Sequence, residues 1–342
     1  MNNIQLYHDF KTPLEKFTFY IAYNVKEKFN EAKFAAFSGN KAQFTSLRHA
    51  FKKAESGDMT YGIDEWAEKL TKEARQLFFP EAILYTEDKA LLMLEGSNTP
   101  NIALLVDPID GTRPAAAGFG FACVSVALIE LDGINELKTL TLKNIKEGCL
   151  VDLNLEFCIW ASEEGEFRLT FLKSGNTIDN PSTLPLSKTT SFENMFWEIG
   201  LVGRPVKWIT NILGELIDSS SASGAFFTIN SLSWCFSQVL LGNLDAVVDV
   251  GNRIVRDIPE ALNDFKKAGK GSVLGLFPYD VAASYVIAKA AGIPLTDAYG
   301  KDIADMKLFD TRVENHTSIV IASNKVLHTK LVDFINRKLV SI

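Results

Sequence analysis

"LLVDPIDGTRPAAAGF", residues 104–119, decides how this chain is read. An apolar run, 101–106, leads into two aspartates, Asp107 and Asp110, set three apart around Pro108 and Ile109. Gly111 and Thr112 follow at once, and a second apolar stretch begins at Phe121. Asp, Pro and Gly all form turns, so a simple reversal between two strands is one reading.

Two chemical readings stand beside it. An aspartyl-phosphate nucleophile of the haloacid-dehalogenase type needs Asp-x-Asp-Gly-Thr, whose carboxylates leave a strand on the same face. The spacing here is three, so a regular strand cannot place both acids on one side. The second is therefore expected on a turn, which demotes the covalent route. The other reading is a hard-cation site, since Mg²⁺ takes carboxylates, waters and a substrate phosphate in near-octahedral geometry. The Ile109 carbonyl would point inward between the acids, and the N–H groups of Gly111 and Thr112 would face a phosphate. From these residues alone the alternatives stay open.

The rest of the sequence narrows the field. At 342 residues the chain exceeds the size at which one hydrophobic core stops growing. It is 47% hydrophobic and 23% charged, an ordinary globular composition. Its 35 Lys+Arg against 42 Asp+Glu leave a net charge of −7, which argues against a nucleic-acid polymer or an anionic membrane as partner. The opening MNNIQLYHDF has no signal-peptide pattern, and no apolar run is long enough to span a bilayer. Cys123, Cys149, Cys158 and Cys235 form no CxxC pair and are expected as buried thiols in a reducing compartment, the cytoplasm by default. His8, His49, His316 and His328 are scattered, so a zinc site is not expected.

Along the chain, residues 12–54 read as helical. A helix over 64–77 is expected with Asp64 as N-cap, then a strand over 82–85 that ends at Glu87 and Asp88. Strands follow over 121–131, 148–161 and 166–172, then a polar crossing over 174–191. Further on come a helix capped by Asn230 and closed by Gly242, a strand in "LDAVVDV" (244–250), and a helix running from Asp280 to Gly292. A strand over 317–322 and a helix capped at Ser323 or Asn324 finish the chain. Interleaved helices and strands indicate a layered α/β (α+β) architecture.

"DPIDGT" and the "RPAAAGFGFACVSVALIE" after it resemble the inositol monophosphatase superfamily, the lithium-sensitive, Mg²⁺-dependent phosphatases of sugar and nucleotide monoesters. "MTYGIDEWAE" (59–68), "TEDKA" (86–90), "SGAFFTINSLSWCFSQVLLGNLDAVVDV" (223–250) and "PYDVAASYVIAKAAGIPLTDAYG" (278–300) fall where that family carries its other motifs, in the same order. The resemblance implies the αβαβα sandwich shared with fructose-1,6-bisphosphatase. It would be a single domain over 1–342, with an N-terminal lobe over about 1–173, a C-terminal lobe over about 190–342 and an insertion over about 251–277.

The resemblance also implies a site. Glu87, Asp107 and the Ile109 carbonyl would hold one Mg²⁺, Asp107, Asp110 and Asp280 a second, with a weaker third near Glu87. Asp64 with Thr112 would orient and deprotonate the attacking water. Asp110, Gly111, Thr112, Gly224, Ala225 and Asp249 would meet the substrate and its phosphate. The activity implied is hydrolysis of a small phosphate monoester, inositol monophosphate first, inhibited by Li⁺. Fructose-1,6-bisphosphate and 3′-phosphoadenosine 5′-phosphate are the alternatives within the fold, and a catalytically weakened scaffold is the alternative outside it. Dimerisation is implied by the family alone.

Several positions depart from the family pattern. Arg113-Pro114 replaces Thr-Asn, Tyr279 replaces Trp, and Asp249 stands where a longer Glu is common. Lys53 falls where some relatives have a metal-shell or substrate lysine. The insertion carries Arg253, Arg256, Lys266, Lys267 and Lys270. It is expected either as an amphipathic surface helix or as a lid whose cations grip a second phosphate.

Overall fold

A computed structural model describes residues 10–53, 59–87 and 100–340. The N-terminal reading, apart from Phe10, and Asp88 lie outside the described residues. The first helix, α1 (Pro13–Phe37), starts with a capping box. The Thr12 hydroxyl accepts from the Glu15 N–H, and the Glu15 carboxylate accepts from the Thr12 N–H. α2 (Ala42–Arg48) follows, but the helical reading of 12–54 fails beyond it. There β1 (Ala50–Lys53) pairs antiparallel with β2 (Met59–Tyr61), which leads into α3 (Gly62–Phe78).

A seven-stranded sheet comes next, its strands side by side in chain order: β3 (Ile83–Thr86), β4 (Ile102–Asp110), β5 (Cys123–Glu130), β6 (Ile145–Asp152), β7 (Phe157–Ser162), β8 (Phe167–Phe171) and β9 (Thr177–Ile178). A short helix, α4 (Thr112–Ala117), lies between β4 and β5. The single strand expected over 148–161 is two strands, because the chain turns back at 153–156 with Leu155 in the left-handed region.

The second half alternates: β10 (Phe196–Ile199), α5 (Val206–Ser220), β11 (Ala225–Phe227), α6 (Leu232–Leu240), β12 (Ala246–Asp249), α7 (Gly251–Asp257), α8 (Leu262–Ala268), α9 (Pro278–Ala291), β13 (Leu295–Thr296), β14 (Ile319–Ala322) and α10 (Lys325–Val340). Its five strands are ordered β11-β10-β12-β14-β13. Asn324 caps α10, accepting from the Leu327 N–H at 3.0 Å.

The strand period of two sorts side chains into layers. In β4, Leu104 and Val106 face a core with Phe17 and Leu70 of α1 and α3, whereas Ala103 and Leu105 face a core with Phe236 and Ile287 of α6 and α9. In β12, Val247 joins that central core, and Val248 faces Ile209 and Leu331 of α5 and α10. The result is helix, sheet, helix, sheet, helix. Both faces of the inner strands are covered, which is why they read as continuous apolar runs. Gly148 admits α9 to the sheet: a Cβ there would lie 2.8 Å from the Ala283 carbonyl oxygen. Among the described residues no helix is long and apolar enough to cross a membrane.

Candidate active site

Asp107 pairs with Ser125 on β5 and Asp110 with Cys123, so three steps on β4 oppose two on its neighbour. This bulge answers the spacing problem. One extra residue resets the alternation, and both aspartates line the same cavity from within the strand. The expectation of the second acid on a turn is therefore corrected. Pro108, which has no N–H to give the ladder, sits in the bulge.

The turn that follows is held from several sides. Asp107 Oδ1 accepts the Ile109 N–H at 3.0 Å, and the Thr112 hydroxyl lies 3.1 Å from the Ile109 carbonyl and 2.9 Å from Asp64 Oδ1. Gly111 has φ +102°, and a Cβ on it would lie 2.7 Å from the Ser231 Cβ and 2.8 Å from the Phe121 carbonyl. Only glycine fits. Asp110 is gripped by the start of α6: its carboxylate accepts the Leu232 N–H at 3.2 Å and the Ser233 N–H, and its carbonyl accepts the Ser231 hydroxyl at 2.8 Å.

Neither Asp64 nor Asp280 is an N-cap. Both are the third residue of their helices, α3 and α9, whose caps are Tyr61 and Phe277. Each carboxylate reaches back through Oδ2 to the cap N–H, at 2.7 Å in both cases. The caps have no oxygen suited to the role, so the acid one turn in supplies the acceptor. For Asp64 the other oxygen meets Thr112. α6 is likewise capped by Ser231 rather than Asn230. Asn230 sits at φ +61°, its side-chain oxygen accepting from the N–H groups of Leu201 and Val202.

The cavity opens to solvent, and about 710 Å³ of empty space lies within and in front of it. Glu87, Asp107, Asp110 and Asp280 line it beside Gly111, Thr112 and Arg113, and the second sheet adds Glu198, Arg204, Asn230, Ser231 and Asp249. Burial, and then repulsion from Asp110, Asp280 and Asp64, pushes the Asp107 carboxyl well above its usual range. Burial raises Asp110 to about 6 against the pull of its N–H donors. Burial also carries Glu198 up to about 8, with Asp249 raising it and Arg204 and the Asn230 N–H opposing. Arg204 makes a two-pronged ion pair with Asp249, at 3.3 Å through Nε and closer through Nη2, and Asp249 also accepts the Gly251 N–H at 2.8 Å.

The structure thus brings Asp64, Glu87, Asp107, Ile109, Asp110, Gly111, Thr112, Asp249 and Asp280 together at or beside one cavity. It does not bring Gly224 and Ala225. Ala225 pairs with Phe196 on the outer strand β11, and Gly224 turns the chain just before it, where a Cβ would strike the Met195 carbonyl. The helix start that meets the cavity lies six residues later, at Asn230, Ser231 and Leu232. Nothing periodic in "FWEIG" or "GRP" marks Glu198 and Arg204 in advance.

The insertion departs from expectation as well. Arg253 is buried against the Tyr299 ring and bonded to Asp257, Asn336 and the Ala298 carbonyl. Arg256 donates to the carbonyls of Glu314 and His316. These two are internal ties, not grips for a phosphate. Lys53 donates to the Lys270 carbonyl at 3.1 Å and the Ser272 hydroxyl at 2.8 Å, fastening β1 to the insertion and not to the acidic wall.

The acidic wall offers oxygen donors, and burial, with repulsion added at Asp107, raises the Asp107 and Asp110 carboxyls above their usual range, which is the chemistry of a hard-cation site. Among the described residues no three His, Cys, Asp or Glu side chains already converge on one point. Asp110 and Asp280 are turned onto backbone N–H groups instead, and would share or release these on taking up an ion.

A sequence model of the inositol monophosphatase family matches residues 14–136. The bifunctional NADP phosphatase/NAD kinase of Methanococcus maripaludis is 27% identical over 256 residues, which are 73% of this chain and 38% of that protein's length. In three dimensions the chain resembles SuhB of Mycobacterium tuberculosis, with TM-score 0.59 and 15% identity over 95% of this chain and 94% of that one. It also resembles a calcium-bound inositol monophosphatase family protein from Staphylococcus aureus, with TM-score 0.53 and 17% identity over 85% of both chains. The matched sequence over residues 14–136, the layered fold and the acids gathered at the end of β4 agree in what they resemble, the inositol monophosphatase family.

Proposed function

We propose that this chain is a divalent-cation-dependent phosphatase that hydrolyses a small phosphate monoester, with Mg²⁺ as the working ion. The observation that carries the reading is the meeting of the Asp64–Thr112 pair with Asp107, Asp110 and Asp280 around one cavity. The residues fit the ion by donor type and charge: Glu87, Asp107, the Ile109 carbonyl, Asp110 and Asp280 would hold it. Bound there, the cations supply positive charge to the phosphoryl oxygens and to the departing alkoxide.

The chain's own groups do the rest. Asp64 Oδ1 and the Thr112 hydroxyl, 2.9 Å apart, hold the attacking water, and Asp64 takes its proton. The N–H groups of Gly111 and Thr112, both residues of the cavity wall, would donate to the phosphate. The Arg204–Asp249 pair and Glu198 face the remainder of the substrate. Inositol monophosphate remains the first substrate to try. The Methanococcus relative adds NADP, whose 2′-phosphate is also a monoester of a ring hydroxyl.

The test is phosphate release from inositol 1-phosphate, NADP, fructose 1,6-bisphosphate and phosphoadenosine phosphate, each with Mg²⁺, with EDTA, and with Mg²⁺ plus Li⁺. Turnover that needs Mg²⁺, is inhibited by Li⁺ and disappears in Asp110→Asn is expected. A fully active Asp110→Asn protein, or turnover indifferent to EDTA, overturns the reading.

A further inference from the structure

A second cleft opens at the other end of α4, with about 580 Å³ of empty space within and in front of it. Among the described residues it shares no wall residue with the acidic cavity. α1 presents two rows to it. Val25 and Phe29, four apart, offer apolar surface, and Lys26, Asn30 and Lys33 run beside them at helical spacing with polar ends. Ile63 of α3, Ala115 of α4 and Leu153 after β6 extend the apolar part. The Phe29 ring is braced by Phe44, with 5.6 Å between centroids.

One end of the cleft is fixed by hydrogen bonds. The Asn154 amide donates to the Gly120 carbonyl at 3.1 Å, and Gly120, at φ +68°, has no room for a Cβ beside that amide. The Asn154 carbonyl accepts from the Lys26 ammonium, which has three N–H bonds and spends one there. Burial pushes the Lys26 ammonium below its ordinary pKa, with Asp152 first among the charges that oppose. Asn30 and Lys33 are exposed at the rim. An apolar floor edged by two ammonium groups and an amide complements a small organic anion, whose body meets the floor and whose carboxylate or phosphate meets the lysines.

The cleft also adjoins both holders of the attacking water. Ile63 immediately precedes Asp64, and Ala115 lies one helical turn after Thr112, whose hydroxyl meets Asp64 at 2.9 Å. A ligand seated between α1 and α4 therefore bears on the two together. We propose that this cleft is an effector site for a small organic anion with an apolar body, felt at the Asp64–Thr112 pair. Binding stands on the cleft alone, and only its effect on rate rests on the phosphatase reading.

The probe is phenylpropionate, with uncharged phenylpropanamide as a control of the same shape. Saturable binding of the acid to the unaltered protein in EDTA is expected, with the amide roughly fivefold weaker. Asn30→Trp fills the cleft and Lys33→Glu reverses a rim charge, both at exposed positions of α1, and each is expected to weaken the acid roughly fivefold. No saturable binding, equal binding of acid and amide, or binding indifferent to both variants overturns the site. In protein that releases phosphate, saturating phenylpropionate should change kcat about twofold or more with KM nearly unchanged, and Asn30→Trp should abolish the response. A rise in KM alone would put the probe in the acidic cavity, and an unchanged kcat would end the effector role; either result overturns the proposal. Protein that binds the probe as expected yet releases no phosphate breaks the phosphatase reading and supports the site.

Discussion

The two walls of the acidic cavity both carry buried carboxylates and treat them in opposite ways. On the wall from the seven-stranded sheet and α9, Asp107, Asp110 and Asp280 crowd one another, with N–H donors on all three. On the wall from the five-stranded sheet, Asp249 is already neutralised by Arg204 through two contacts, and Glu198 holds a proton up to about pH 8. One wall is short of positive charge and the other supplies its own. A wall that must wait for cations suits chemistry. A wall complete in itself suits the recognition of a neutral or anionic group.

The largest expected effect comes from the first wall. Asp107→Asn keeps an oxygen for the Ile109 N–H but removes a charge, so phosphate release should fall by about a thousandfold or more. The same change relieves repulsion, and the melting temperature in EDTA should rise by a few degrees. A variant that melts lower in EDTA would show that this wall is not frustrated without metal.

Arg204→Gln attacks the second wall and should do the reverse. It leaves Asp249 and Glu198 buried without their cation, at a cost of about 3 kcal/mol, read as a lower denaturation midpoint with or without Mg²⁺. Stability unchanged in urea would mean that the pair is not closed in solution.

The smallest effect is on pH dependence. Asp107, Asp110 and Glu198 have folded-state pKa values raised above their unfolded ones, so the folded chain binds more protons than the unfolded chain between about pH 4 and 8. Their contribution is complete below about pH 4 and is lost as pH climbs through 6 for Asp110 and 8 for Glu198. Metal-free protein should therefore melt lower at pH 8 than at pH 5, and Mg²⁺ should flatten the Asp107–Asp110 part of that slope. A slope unaffected by Mg²⁺ would assign it to Glu198 and to Asp152, whose carboxyl burial raises to about 7.

Much of the first wall is legible in the sequence because its acids sit in short stretches whose spacing carries meaning. Asp107 to Thr112 form one such stretch, and Asp64 and Asp280 each stand near a helix start. Even there the local geometry needed the structure. The bulge that turns Asp107 and Asp110 to one side exists only against β5, and the reach of Asp64 and Asp280 back to Tyr61 and Phe277 looks, in sequence, like an N-cap. The second wall is hardly legible. Arg204 and Asp249 are 45 residues apart, and Gly224-Ala225 imitates the helix start that Asn230 to Leu232 provides.

By itself, then, the sequence determined the alternation of apolar residues that sorts strands and helices into layers, and the clustering of acids at the end of β4. These depend on neighbours a few residues away, where periodicity and hydrogen bonding act directly. Only the tertiary structure decided which charges meet. Stacking the second sheet on α6 and α9 brings Arg204 to Asp249 and the Asn230 N–H to Glu198. The same packing commits the insertion's arginines to the fold. Burial sets the strength of those encounters, and burial belongs to the packed chain rather than to any stretch of it.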